Sequence, residues 1–157
     1  MKYISILLIA LALGASSINA KAQDLIGIRG GWYSGITYQH YMGSNNSLEF
    51  IGQFTRGGSN FTGLYEIHSD IPDVDGLKFY YGGGAHLGFY QKDRHNLFGD
   101  RYNGNGAVMG IDGIIGIEYF FKPIPLQLSL DYKPALNIGG GDIWLFSDLA
   151  LAVRVVF

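Results

Sequence analysis

The second half of this chain alternates, and alternation of period two is the feature that most limits its fold. Leu126, Leu128, Leu130 and Tyr132 occupy one parity, and Gln127, Ser129, Asp131 and Lys133 the other. Successive side chains of a strand point to opposite faces, so such a run reads as a strand with one apolar face. The last segment repeats the pattern, with Leu149, Leu151, Val153, Val155 and Phe157 opposite Ala150, Ala152, Arg154 and Val156. Read backwards, the alternation recurs over 106–121, 77–90, 60–68 and 47–56. Nearly every strand charge falls on one face: Arg29, Glu49, Glu66, Lys78, Asp112, Glu118, Asp131, Lys133 and Arg154.

Composition removes the competing classes. The 157 residues include 24 Gly, about twice the usual share, and 15% are charged against a usual ~25%. Glycine costs a helix interior roughly 0.8 to 1 kcal/mol per position, which disfavours helical bundles and coiled coils. A hydrophobic content of 48% and a net charge of -2 argue against disorder. The absence of Cys excludes thiolate metal sites, disulfides and a cysteine nucleophile. A pI near 6.0 without a basic run disfavours nucleic-acid binding. At this length one domain is expected.

The N-terminus reads as an address. Lys2 precedes an apolar run over 3–15, and Ala20-Lys21-Ala22 offers a small-x-small cleavage pattern before Gln23. Residues 1–22 are expected to be a cleaved signal peptide and 23–157 the mature domain. The apolar run is short of the ~20 residues that a spanning helix needs.

Alternation alone leaves open whether the apolar face is a core, as in a soluble lipocalin-like carrier, or a lipid-facing surface. The charged face is rich in Gly, and its acids and bases nearly balance, as a narrow lumen of paired side chains requires. Tyr41, Phe79, Tyr81, Phe89, Tyr119, Phe121, Tyr132 and Phe157 are assigned to the other face near strand ends, where interfacial girdles lie. An exported barrel has an even strand number, short periplasmic turns and longer outer loops. Placing 134–146, 91–105 and 57–59 outside, and 122–123, 69–76 and 43–46 inside, leaves 25–42 to supply two strands around a turn at 32–34. That gives eight strands; a single bent strand over 25–42 is the alternative. The expected fold is all-β, an eight-stranded antiparallel up-and-down transmembrane β-barrel.

Several stretches then resemble a known group: Ala20-Lys21-Ala22-Gln23, the run from Thr62 to His68, the run from Tyr80 to Tyr90, the run from Gly110 to Tyr119, and the Leu-x-Leu-Asp-Tyr-Lys-Pro stretch at 128–134. They look like the small outer-membrane β-barrel proteins related to the OmpX/OmpA type. That resemblance implies an outer-membrane location, contact with lipid and lipopolysaccharide, and a C-terminal strand ending in Phe157 that the barrel-assembly machinery reads. It says little about activity, because such barrels include adhesins, lipid-A-modifying enzymes and proteins with no assigned task.

Candidate chemistry is sparse. Arg29, Glu49, Glu66, His68, His86, Asp112, Glu118, Asp131 and Arg154 are expected to form a structural hydrogen-bonded network in the lumen, each buried charge finding a partner. No catalytic, cofactor or metal site is expected. Asp112-Gly113 is read as mid-strand rather than a hairpin, since splitting that strand breaks the even count. Gly82-Gly83-Gly84 lacks the GK[ST] of a phosphate loop and is read as close approach of a neighbouring tyrosine. Asp70, Asp73, Asp75 and Gly76 miss the EF-hand spacing and are read as a solvated turn. None of the seven mature-chain serines sits in a nucleophile elbow, and a deacylase-like Ser-His pair would need an outward histidine, for which His40 is the candidate. Lys92, Asp93, Arg94, His95, Asp100, Arg101 and Tyr102 mark a charged outer loop. The expected function is a monomeric outer-membrane barrel, plugged by its polar lumen and acting structurally or through its outer loops. A lipid-A-modifying enzyme and a soluble carrier are the rivals.

Overall fold

A computed structural model of the chain describes residues 23–55, 58–90, 106–139 and 142–157. The predicted signal peptide and the outer loop over 91–105 lie outside the described residues. Eight strands follow in order: β1 (Gln23–Gly31), β2 (Gly35–Tyr41), β3 (Asn46–Thr55), β4 (Gly58–Asp70), β5 (Leu77–Tyr90), β6 (Gly106–Phe121), β7 (Leu126–Gly139) and β8 (Asp142–Val156). Each pairs antiparallel with the next, and β1 pairs with β8, closing the sheet into a barrel. Closure leaves no strand edge unpaired, which is the condition for a sheet to stand in an apolar medium. Residues 25–42 form two strands around a turn at 32–34, as the even count required.

The alternation divides the wall into two faces. Inward positions include Arg29, Glu49, Glu66, Asp112, Asp131 and Arg154, all buried. Outward positions carry exposed apolar side chains around the circumference, among them Ile28 (68%), Phe50 (54%), Leu87 (49%), Ile111 (60%) and Leu145 (72%). Of the Asp, Glu, Lys and Arg residues in the described strands, Asp24 alone has outward parity. Interior apolar side chains are fewer: Ile51, Leu64, Tyr80 and Ile114 cluster within the lumen, and Leu25, Tyr41 and Val156 close one end with Phe120.

Four expectations need correction. The segment 134–146 is mostly strand rather than a long loop, because β7 runs to Gly139 and β8 starts at Asp142. Leu136 pairs with Leu145 and Ile138 with Ile143, so the alternation continues past Pro134. Pro134 has no N–H to donate, and the β6–β7 ladder is interrupted between Ile115↔Tyr132 and Asp112↔Ala135 without a change of register. Gly113 lies at this gap, where an added Cβ would meet the Pro134 ring at 3.5 Å. Second, Gly58 and Ser59 belong to β4 rather than to the turn before it. Third, Tyr41 points inward and is 4% exposed, sharing the parity of Thr37 and Gln39. Fourth, Gly82 and Gly84 are pressed by the β4 backbone, since a Cβ at Gly82 would lie 2.1 Å from the Tyr65 carbonyl. A tyrosine does cover Gly116: the Tyr80 ring would lie 2.7 Å from a Cβ there.

Candidate functional site

The candidate site is the lumen, because there the fold collects its ionisable groups. Six buried carboxylates, Glu49, Glu66, Asp112, Glu118, Asp131 and Asp148, share it with the cations Arg29, Lys133 and Arg154 and the imidazoles His68 and His86. Acids outnumber the permanent cations, so neutral donors must solvate the surplus. Those donors are the hydroxyls and amides of Thr37, Gln39, Tyr41, Ser47, Tyr80 and Gln127, projected inward by the same alternation.

Three groups of contacts fill the barrel. At the end closed by Tyr41, the His68 Nδ1 lies 2.8 Å from Glu118 Oε1, which also accepts from the Tyr41 hydroxyl at 2.5 Å. Gln127 Nε2 donates to the other Glu118 oxygen at 2.7 Å. His68 Nε2 is 2.8 Å from Ser47 Oγ, which donates to Glu66 Oε2 at 2.9 Å. The imidazole is held between the rings of Tyr41 and Tyr80, with centroids 4.7 and 5.4 Å away.

In the middle, the Arg154 guanidinium bonds Glu49, Thr37 Oγ1 at 3.2 Å, Gln127 Oε1 at 2.8 Å and Ser129 Oγ at 2.9 Å. Glu49 accepts from the Thr37 hydroxyl as well. Arg29 Nη1 donates to Asp131 Oδ2 at 2.6 Å, and Nη2 lies 2.6 Å from Oδ1 as an ion-pair contact. Tyr80 donates to the same Asp131 at 3.0 Å. Toward the other end, Asp112 is shared by Lys133 at 2.8 Å and His86 Nδ1 at 2.6 Å. Asp148 lies 3.6 Å from Arg29 and accepts from Gln53 Nε2 and from the Trp32 backbone N–H.

All nine expected lumen residues face inward, and the barrel brings them together in separate groups: Arg29 with Asp131, Arg154 with Glu49, His68 with Glu118 and Glu66, and His86 with Asp112. Sequence reasoning put Lys133, Gln127 and Ser129 on the polar parity without including them in the network, and it missed Asp148 and the inward Tyr41. Period-two parity was the signal that could have found them. Asp148 shares parity with Arg154, but it falls before 149, where the last strand was taken to begin.

One line of contacts, Ser47–His68–Glu118, has the residue types and order of a hydrolytic triad. Its surroundings oppose that chemistry. All three side chains are 1% exposed or less, leaving no room for an ester beside Ser47. The Glu66 carboxylate accepts from the Ser47 hydroxyl and puts a negative charge beside it, whereas acyl transfer needs oxyanion donors. His40, the outward histidine, has Asp24 as its partner at 2.6 Å and no serine. The Asp70, Asp73 and Asp75 carboxylates do not converge: Asp75 pairs with Lys122 at 2.5 Å, and Asp70 lies 3.5 Å from Lys78. No group of three or more potential ligands suited to a metal ion occurs among the described residues. The Lys122 ammonium, hydrogen-bonded to Asp75 in the exposed turn, holds that carboxyl below its ordinary value of 3.8.

Strand order, closure and an inward polar network define a class, the closed eight-stranded up-and-down barrel. Among solved structures the chain is similar to the crystal structure of the N-terminal β-barrel domain of Pseudomonas aeruginosa OprF, with a TM-score of 0.64 and 13% identity. The match covers 87% of this chain and 98% of that one. At that identity the likeness is one of fold. No protein-family model and no curated protein matches the sequence.

Proposed function

We propose that this chain is an integral outer-membrane β-barrel whose role is structural, with any recognition carried by its outer loops. The observation that carries the reading is the inversion of polarity across the wall. Large apolar side chains such as Ile28, Ile143 and Leu145 are 66–72% exposed on the outward face, while the lumen holds nearly every strand charge. A soluble protein rarely leaves so continuous an apolar surface in water, and a soluble carrier would keep its apolar face inside for its ligand. In lipid the same surface is solvated, and the closed ladder satisfies the backbone.

The polar network plugs the lumen. An eight-stranded wall leaves an interior just wide enough for its side chains, so the barrel does not conduct. Residues 1–22 export the chain and are removed. The barrel-assembly machinery acts on the chain during insertion, and lipid and lipopolysaccharide are the remaining partners of a monomer. Lys92, Arg94 and Arg101 in the 91–105 segment suit the phosphates of lipopolysaccharide. The barrel is not an enzyme, a reading supported by the sealed position of Ser47.

Cell fractionation with an alkaline wash tests the location. The protein is expected in the outer-membrane fraction and to migrate faster on gels before boiling than after. Recovery in the soluble periplasm overturns the reading. Loss or transfer of lipid-A acyl chains on incubation with the purified protein, abolished by His68→Ala or His40→Ala, establishes the enzymatic alternative instead.

A further inference from the structure

The outward face is not uniformly convex. A groove of about 700 Å³ crosses it, floored by Gly52, Gly63 and Ala85 and walled by aromatic rings that include Tyr38, Phe50 and Phe61. That volume lies within the range of small-molecule sites. The floor glycines are not demanded by packing within the chain. A Cβ at Gly63 would meet nothing nearer than the Phe50 ring at 3.7 Å, and one at Gly52 nothing nearer than Phe54 at 3.4 Å. Glycine in a strand interior weakens it, and such a glycine often marks a place where a ligand approaches closely.

Polar groups lie beside the groove, joined to it through Tyr38. Tyr38, which lines it and lies beside the Phe50 ring at 6.5 Å, turns its hydroxyl onto Asp24 Oδ1 at 2.7 Å. His40 Nδ1 reaches the same oxygen at 2.6 Å. Asp24 Oδ2 and His40 Nε2 have no partner among the described residues, and both side chains are about one-third exposed, at 32% and 37%. Asp24 is the second residue of β1, at the end of the wall where headgroups lie, so an outward acid is tolerated there and is placed to meet them. Asp24 is the outward acid of the described strands, two residues along β1 from Ile26, which lines this groove.

We propose that the groove and the Asp24–His40 pair form one phospholipid site. It seats an acyl chain over Gly52, Gly63 and Ala85 and an amine-bearing zwitterionic headgroup at the polar groups beside them. The free Asp24 oxygen accepts from the ammonium, and His40 and Tyr38 lie toward the phosphate. Charge complementarity selects this occupant. A second copy of the barrel would bring another Asp24 to the same acid or leave it unpaired, and a phosphocholine headgroup has no N–H to donate. The inference rests on the outer-membrane reading above.

The full barrel is inserted in nanodiscs holding equal phosphatidylethanolamine, phosphatidylcholine and phosphatidylglycerol, and retained lipid is counted by native mass spectrometry. Phosphatidylethanolamine is expected to exceed phosphatidylcholine by about tenfold, the ratio one charge-assisted hydrogen bond supports. Asp24→Asn should level that ratio while lipid is still retained, and Gly63→Leu should reduce retention of every headgroup. The wild-type ratio needs no variant to fold, and the shift in gel mobility on boiling checks that each variant does. Equal retention of the ethanolamine and choline lipids, preference for the glycerol lipid, or a preference unchanged by Asp24→Asn overturns the site. A barrel that inserts and shows no preference refutes this inference alone, whereas failure to insert refutes the membrane reading with it.

Discussion

Replacing Arg154 by Met is the perturbation with the largest consequence that the lumen geometry allows. The guanidinium is fully buried and is the direct counter-charge of Glu49, bonded also by Thr37, Gln127 and Ser129. Methionine fills similar space but leaves Glu49 a buried carboxylate with the Thr37 hydroxyl and without its ion-pair partner. Removing one partner of a buried ion pair costs about 3 to 5 kcal/mol. Glu49→Gln strands Arg154 in the same way and should cost a similar amount. The double variant carries no charge at either position, so its cost falls well below the sum, with a coupling of at least ~2 kcal/mol. Urea titration in micelles, followed by the fluorescence of Trp32 and Trp144, measures all three variants against wild type. A cost below ~1 kcal/mol for Arg154→Met, or additivity within ~0.5 kcal/mol, refutes the claim that these groups hold one another in a sealed medium.

Three further outcomes follow from named positions. Ile115→Arg, mid-strand on the outward face, should cost roughly 2 to 4 kcal/mol in bilayers, and an arginine in the turn at 122–125 much less; equal tolerance in the same unfolding assay contradicts the lipid-facing assignment. Gly116→Ala drives a Cβ to 2.7 Å from the Tyr80 ring and from the Asp131 Cβ, and should destabilise by about 1 to 3 kcal/mol, whereas Gly63→Ala, in open contact with Phe50, should be near neutral. Comparable unfolding midpoints for the two show that the Tyr80 side chain is not fixed over Gly116. Asp75 should titrate below 3.8 by NMR and return toward it in Lys122→Ala. Because its folded value is depressed, the ion pair's contribution is present above the unfolded value and is lost as pH falls through the lower folded one.

Most of the wall was legible in the sequence because period two survives without any knowledge of partners. Leu128 against Ser129, or Phe50 against Glu49, declares a face from two neighbours. Where chemistry interrupted that signal, the reading stopped early. Pro134 reads as a strand end, yet its missing N–H costs only a gap in the β6–β7 ladder while the β7–β8 pairing continues to Gly139. Asp148 was lost with that segment. Tyr41 was assigned outward because aromatics favour interfaces, but its hydroxyl finds Glu118 inside. Parity places a side chain in the lumen but not beside a particular neighbour. The pairings of His68 with Glu118 and of Arg29 with Asp131 span strands 50 and 102 residues apart in sequence, and the barrel's register decides them. The groove over Gly63 was invisible for the same reason, since it lies across several strands.

The central claim, lipid outside and a sealed polar network inside, is tested most directly by scanning single cysteines along β7. The chain has no Cys of its own, so spin labels at 127 through 133 report one site at a time. In bilayers, labels at Leu128, Leu130 and Tyr132 should collide with dissolved oxygen and be shielded from a water-soluble nickel complex. Labels at Gln127, Ser129 and Asp131 should be shielded from both, giving an oxygen profile of period two. A profile in which the nickel complex reaches Leu128 and Leu130, or in which both parities respond alike, contradicts the account.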